Sequence, residues 1–95
     1  GTVLGGKITC FEAPAGGDPD INLWYADEAT GAEDAAITSL TNQIQMCDSG
    51  DFAIGTVVGI PTPPAADKYL YMVTGAATNA DYTAGKLLIE LFGYV

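Results

Sequence analysis

The stretch AGKLLIELFGYV, residues 84–95, decides how the rest of the chain is read. As a strand it sends Leu87, Ile89, Leu91 and Val95 to one side and Lys86, Leu88, Glu90, Phe92 and Tyr94 to the other, so both faces are largely apolar. As a helix it lines up Leu87, Leu88, Leu91 and Tyr94. Gly85, Gly93, the missing N-terminal capping box and the aromatic residues near the end favour the strand. A strand that is apolar on both faces needs cover twice, once from its own core and once from something else.

The upstream runs alternate in the same way. Lys7 to Glu12 (KITCFE) places Ile8 and Cys10 on one side and Thr9 and Phe11 on the other, and the loop APAGGDPD stops it. In DINLWYADE, Ile21, Leu23 and Tyr25 share a face opposite Asn22 and Trp24. FAIGTVVGI, residues 52–60, is rich in β-branched residues and reads as a strand; the prolines of PTPPAAD then carry the chain extended across the surface. DKYLYMVTG sets Leu70 and Met72 against Tyr69, Tyr71 and Val73, and AATNADYTAG turns the chain into the final strand.

Residues 29–51 admit two readings. Thr30 and Glu33 fit a capping box, with Ile37, Leu40 and Ile44 at helical spacing. From Ile37 onward a strand also works, with Leu40, Ile44 and Met46 on one side and Ser39, Thr41, Gln43 and Gln45 on the other. Thr, Ser and Asn are weak in helix interiors, so a loop with one helical turn is expected, then a strand, then a turn at Asp48–Asp51. The expected fold is all-β: a single antiparallel β-sandwich or jelly roll of about six to eight short strands, one domain over residues 1–95.

Composition restricts function. Three cations (Lys7, Lys68 and Lys86, with no arginine) face twelve carboxylates, for a net charge of −9. A surface that binds nucleic acid needs several cations to neutralise phosphates, and an anionic membrane surface repels this chain, so neither is an expected partner. No apolar run approaches the roughly 18 residues of a membrane span, and GTVLGGK lacks a signal-peptide layout.

The chemistry of catalysis is sparse. The chain has no histidine, the commonest general base and transition-metal ligand. Ser39 and Ser49 are its only serines, neither in a GxSxG setting, and no phosphate-binding glycine motif occurs. Asp18 with Asp20, Asp27 with Glu28, and Glu33 with Asp34 are possible carboxylate pairs, but glycoside cleavage needs a deep groove on a larger scaffold. No enzyme activity and no cofactor are expected. The DPD and CDSGD turns offer oxygen ligands to calcium without EF-hand spacing, and Asp in such turns ordinarily caps its own backbone, so no metal is expected either. Cys10 and Cys47 read as two buried thiols or as one bridge, the latter contributing about 4 kcal/mol in the loop-entropy account.

Aromatic residues are the remaining candidates for a site. Trp24, Tyr25, Tyr69, Tyr71, Phe92 and Tyr94 lie on strands, and those not in the core would form an outer platform able to stack sugars or anchor a protein. The expected interface set is Leu88, Phe92, Tyr94, Tyr69, Tyr71 and Trp24.

Residues 68–95, KYLYMVTGAATNADYTAGKLLIELFGYV, resemble the small jelly-roll cement, or decoration, proteins of tailed double-stranded DNA bacteriophages. Lys68, Tyr69, Leu70, Val73, Thr74, Gly75, Thr83, Ala84, Gly85 and Lys86 carry the resemblance. GTVLGGKITCFEA is similar to the opening turn and first long strand of that family, DINLWYADEA to the strand ending in an acidic turn, and GTVVGIPTPPAADKYL to a strand with a proline-rich loop. Many members have Arg where Lys68 stands, and they often begin with an extra segment, so clasping of neighbours by an N-terminal arm is not part of the expectation. The resemblance implies a structural virion protein made in the host cytoplasm. It would sit on the outer capsid surface as a homotrimer and bridge copies of the major capsid protein. The alternative is a carbohydrate-binding module or adhesin domain that uses Trp24 and neighbouring tyrosines as a stacking platform. A secreted domain with Cys10 bridged to Cys47 is a third reading.

Overall fold

Alternating apolar and polar residues become six strands in the computed structural model, which describes residues 1–31, 35–75 and 81–95. In chain order they are β1 (Thr2–Ala15), β2 (Ile21–Ala26), β3 (Ile44–Cys47), β4 (Val57–Gly59), β5 (Tyr69–Thr74) and β6 (Ala84–Tyr94). They form two antiparallel three-stranded sheets, β4-β1-β6 and β3-β2-β5. The chain is therefore all-β, a small sandwich. Among the described residues its strands number six, fewer than the eight of a full jelly roll, and β1 and β6 are long.

Both sheets contribute to one core. Ile8 and Cys10 from β1, Ile21 and Leu23 from β2, and Met46 and Cys47 from β3 meet Phe52 and Ile60, with Tyr25, Val58, Leu87 and Ile89 packed against them. The register of β6 fixes its faces: Ile89 lies opposite Ile8 and Leu87 opposite Cys10, so its odd-numbered residues point inward. Residues 84–94 are a strand, not a helix. Gly6 allows the close approach of β1 to β6, because a Cβ there would lie 2.5 Å from the Glu90 carbonyl oxygen.

Two sequence expectations need correction, and a third, the loop with one helical turn followed by a strand, holds. β1 does not stop at Glu12 but runs to Ala15, and its ladder is irregular between Glu12 and Ala15, where Pro14 is tolerated. The strand expected over residues 52–60 is confined to Val57–Gly59, since the Thr56 N–H donates to the Ala53 carbonyl at 3.0 Å and Gly55, at φ +85°, closes a turn. In residues 29–51 the helical turn is a 3-10 turn at Ile37–Ser39 and the strand starts only at Ile44, whose side chain is exposed while Met46 is buried. The capping-box partner Glu33, and residues 76–80 of the last turn, lie outside the described residues.

Cys10 and Cys47 are both buried free thiols. Cys10 Sγ donates to the Glu12 carbonyl at 3.3 Å, and burial pushes the Cys47 thiol up. The disulfide reading is thereby overturned, and the secreted-domain reading loses the feature it required.

The two sides of the sandwich differ. On one, the chain leaving β4 joins β3, where the Thr62 N–H donates to the Met46 carbonyl at 3.2 Å. On the other, β6 and β5 are both sheet edges. Met72 lies opposite Leu23, and Leu70 opposite Tyr25, so both face the core side, as their alternation requires. Yet Met72 is 64% exposed and Leu70 42%, because neither is covered from across the sandwich.

Candidate functional site

The outward face of the β4-β1-β6 sheet carries a group of exposed apolar side chains. One rung across it reads Val57, Thr9, Leu88; the next reads Gly59, Lys7, Glu90; beyond these Gly5 lies opposite Phe92. Val57, Leu88 and Phe92 are all exposed, Phe92 by 52%. Phe11, in the β1 bulge between Cys10 and Glu12, is exposed beside them. One weak charge pair, Lys7 Nζ to Glu90 Oε1 at 3.9 Å, crosses this surface in solvent and contributes little to stability. Tyr94 follows at the end of β6, where Gly1, Thr2, Val3, Gly93 and Val95 complete a shallow apolar depression.

The six expected interface residues fall into two sets on opposite faces of the sandwich. Leu88, Phe92 and Tyr94 share the exposed face just described. Trp24, Tyr71 and Tyr69 lie on the outer face of β3-β2-β5, with Trp24 opposite Tyr71 and Tyr69 opposite Ala26. That second face is partly covered by the protein's own chain. Tyr71 donates its hydroxyl hydrogen to the Glu28 carbonyl, and Gly31 lies over the Tyr71 ring. Ala26 is fully buried, Asn22 is 8% exposed, and Trp24 Nε1 is sealed from solvent. Only Tyr69 remains half exposed there. Sequence reasoning missed Val57 and Phe11, although the alternation of KITCFE already put Phe11 on the side away from Ile8 and Cys10.

The covering segment is clamped at its base. Lys68 Nζ and Asn42 Nδ2 both donate to the Asp27 carboxylate, the latter at 2.7 Å, and the Thr41 N–H donates to Glu28 Oε2 at 2.8 Å. The Asp27 N–H donates to the Thr41 carbonyl at 3.1 Å. The hydrogen bond from Lys68, then that from Asn42, holds the Asp27 carboxyl below its ordinary value of 3.8; hydrogen bonding from Thr41 does the same for Glu28, ordinarily 4.5. A carboxyl lowered in the folded state stabilises that state above its unfolded value, and the contribution is lost as pH falls through the folded one. Trp24 is the only tryptophan and reports on this cover. Acidification from neutral pH to below about 4 should therefore shift its fluorescence to the red and raise its quenching by acrylamide. Asp27→Asn should move that change toward neutral pH. A spectrum unchanged down to global unfolding would contradict the clamp.

At the other end of the molecule the two Asp-rich turns converge. Asp20 pairs with Asp51 in an isolated bridge, its N–H donates to Asp18 Oδ1 at 2.9 Å, and Ser49 Oγ donates to the Ile21 carbonyl at 2.7 Å. Burial first, then Asp48, Asp18 and Asp51, pushes the Asp20 carboxyl up. The sign is opposite to that of the clamp: this contribution is full below the ordinary value and lost as pH rises through the raised one. Among the described residues no three Asp, Glu or Cys side chains converge as metal ligands. No family model, curated protein or solved structure matches the chain.

Proposed function

We propose that this chain is a non-enzymatic cement protein of a bacteriophage virion, which binds the outside of an icosahedral capsid and stabilises it by bridging subunits of the major capsid protein. The observation that carries the reading is the outward face of β4-β1-β6, where Val57, Leu88 and Phe92 stay exposed on a sheet whose other face already fills the core. Exposed apolar surface of this kind marks a protein contact. The charge fits the location: a chain of net charge −9 is repelled by packaged nucleic acid and tolerated on the exterior.

The mechanism is mass action. A protein that binds only the assembled lattice stabilises it by RT ln(1 + [L]/Kd), about 2.7 kcal/mol per site at a hundredfold excess over Kd. Linked copies add avidity, and the resemblance implies three of them. The carbohydrate-binding alternative requires an open Trp24 platform, and Trp24 and Tyr71 are both partly buried, with the Tyr71 hydroxyl engaged by Glu28 and Trp24 Nε1 out of reach of solvent.

The test is co-sedimentation of the purified chain with empty shells assembled from the major capsid protein of a tailed bacteriophage. Saturable binding at a fixed number of copies per shell, with a raised disruption temperature, is the expected result. No binding to the shell, together with retention on a glycan array, would replace this reading with the carbohydrate one.

A further inference from the structure

Edge strands in soluble proteins are ordinarily short, bulged or charged, because an open row of N–H and C=O groups pairs with other chains. β3 and β4 follow that rule at four and three residues. β6 does not: it is an eleven-residue edge carrying only Lys86 and Glu90 as charges. Which of its backbone groups are open follows from β1. Gly6 and Cys10 bond toward the β4 side, through the Ile60 N–H to the Gly6 carbonyl and the Cys10 N–H to the Thr56 carbonyl, both 2.9 Å. Lys7 and Thr9 therefore bond toward β6, to their partners Glu90 and Leu88. That leaves the N–H and C=O groups of Leu87, Ile89 and Leu91 directed away from the sheet.

We propose that this edge pairs with β6 of a second copy of the same chain, antiparallel and centred on Leu88, to give a two-fold dimer with a continuous six-stranded sheet. Charge selects the register. Centring on Leu88 sets Lys86 opposite Glu90 of the partner, twice by symmetry, on the outward face; centring on Lys86 or Glu90 sets like charges together, and centring on Leu87 or Ile89 pairs Lys86 with an apolar residue. The hydrogen-bonding phase agrees. In that register Leu87 faces Ile89 of the partner, and these are the residues whose backbone groups point outward. Glu90 would then lie between Lys7 of its own chain and Lys86 of the partner, and Lys86 forms no ion pair within its own chain among the described residues. The same contact closes the open side of the sandwich, where Leu91, Leu70 and Met72 are exposed.

The dimer does not rest on the capsid reading, and its order differs from the three-fold assembly that the resemblance implies. Sedimentation equilibrium of the full chain should give a dimer, and Lys86→Glu should weaken association by about tenfold or more. Lys86→Glu combined with Glu90→Lys should restore it. Hydrogen exchange supplies a second readout: the amides of Leu87, Ile89 and Leu91 should gain protection with concentration, while those of Leu88 and Glu90 are protected throughout. A monomer up to about 1 mM, a trimer, failure of the double exchange to rescue, or odd-numbered amides indifferent to concentration would overturn the proposal.

Discussion

Leu23→Ala should cost about 3 to 5 kcal/mol of folding stability and lower Tm by about 15 °C or more. Leu23 is 2% exposed on the central strand of its sheet and touches a core to which both sheets contribute. Removing its branched end leaves a cavity that two hydrogen-bonded sheets cannot collapse to fill, so the lost burial and the void add. A domain of this size has a total stability of about 5 to 10 kcal/mol, so the variant would lie near the limit of folding. Leu88→Ala, a change of the same type on another strand, should alter stability by about 0.5 kcal/mol or less, because Leu88 is 44% exposed. Denaturant titration of both variants checks the pair. Equal losses would mean that the outward face of β6 belongs to the domain's own interior.

Phe92→Asp should lower affinity for the capsid shell by about a hundredfold while changing folding stability by about 1 kcal/mol at most. Aromatic anchors carry most of the energy at protein contacts, and an ionised carboxylate in the same place would be desolvated without a partner. Val57→Asp, on the far strand of the same sheet, should act in the same direction. Tyr71→Phe should leave docking unchanged, since that hydroxyl is engaged by Glu28 on the opposite face. Val57 lies on β4, away from the β6 edge, whereas Phe92 would face Ala84 of the partner in the proposed dimer, so Val57→Asp is the variant that reads loss of docking separately from loss of dimerisation.

How far the sequence foretold this arrangement varies by element. The strand character of residues 84–94 and the faces of β2, β5 and β6 followed from period-two alternation, which the pleat converts directly into side. Coverage did not follow. Leu70 and Met72 point inward as their pattern demands and are still exposed, because alternation encodes direction and says nothing about what lies across from an edge strand. Trp24 and Tyr71 were placed with Leu88 and Phe92 as one interface set. They lie partly buried on the opposite face, where a segment held by Asp27, Glu28, Thr41 and Lys68 meets Tyr71, through contacts that span thirteen to forty-one residues and leave no local mark. The shortening of the expected strand at residues 52–60 was nearer to legible, since Gly55 interrupts the β-branched run.

The central claim is that the outward face of β4-β1-β6 is covered by another polypeptide on the capsid. Radical footprinting read by mass spectrometry, on the free chain and on shells saturated with it, measures this directly. Phe92 and Val57 should lose most of their labelling on the shell, while Tyr69 on the opposite face keeps its own. Full labelling of Phe92 and Val57 on the saturated particle would contradict the account.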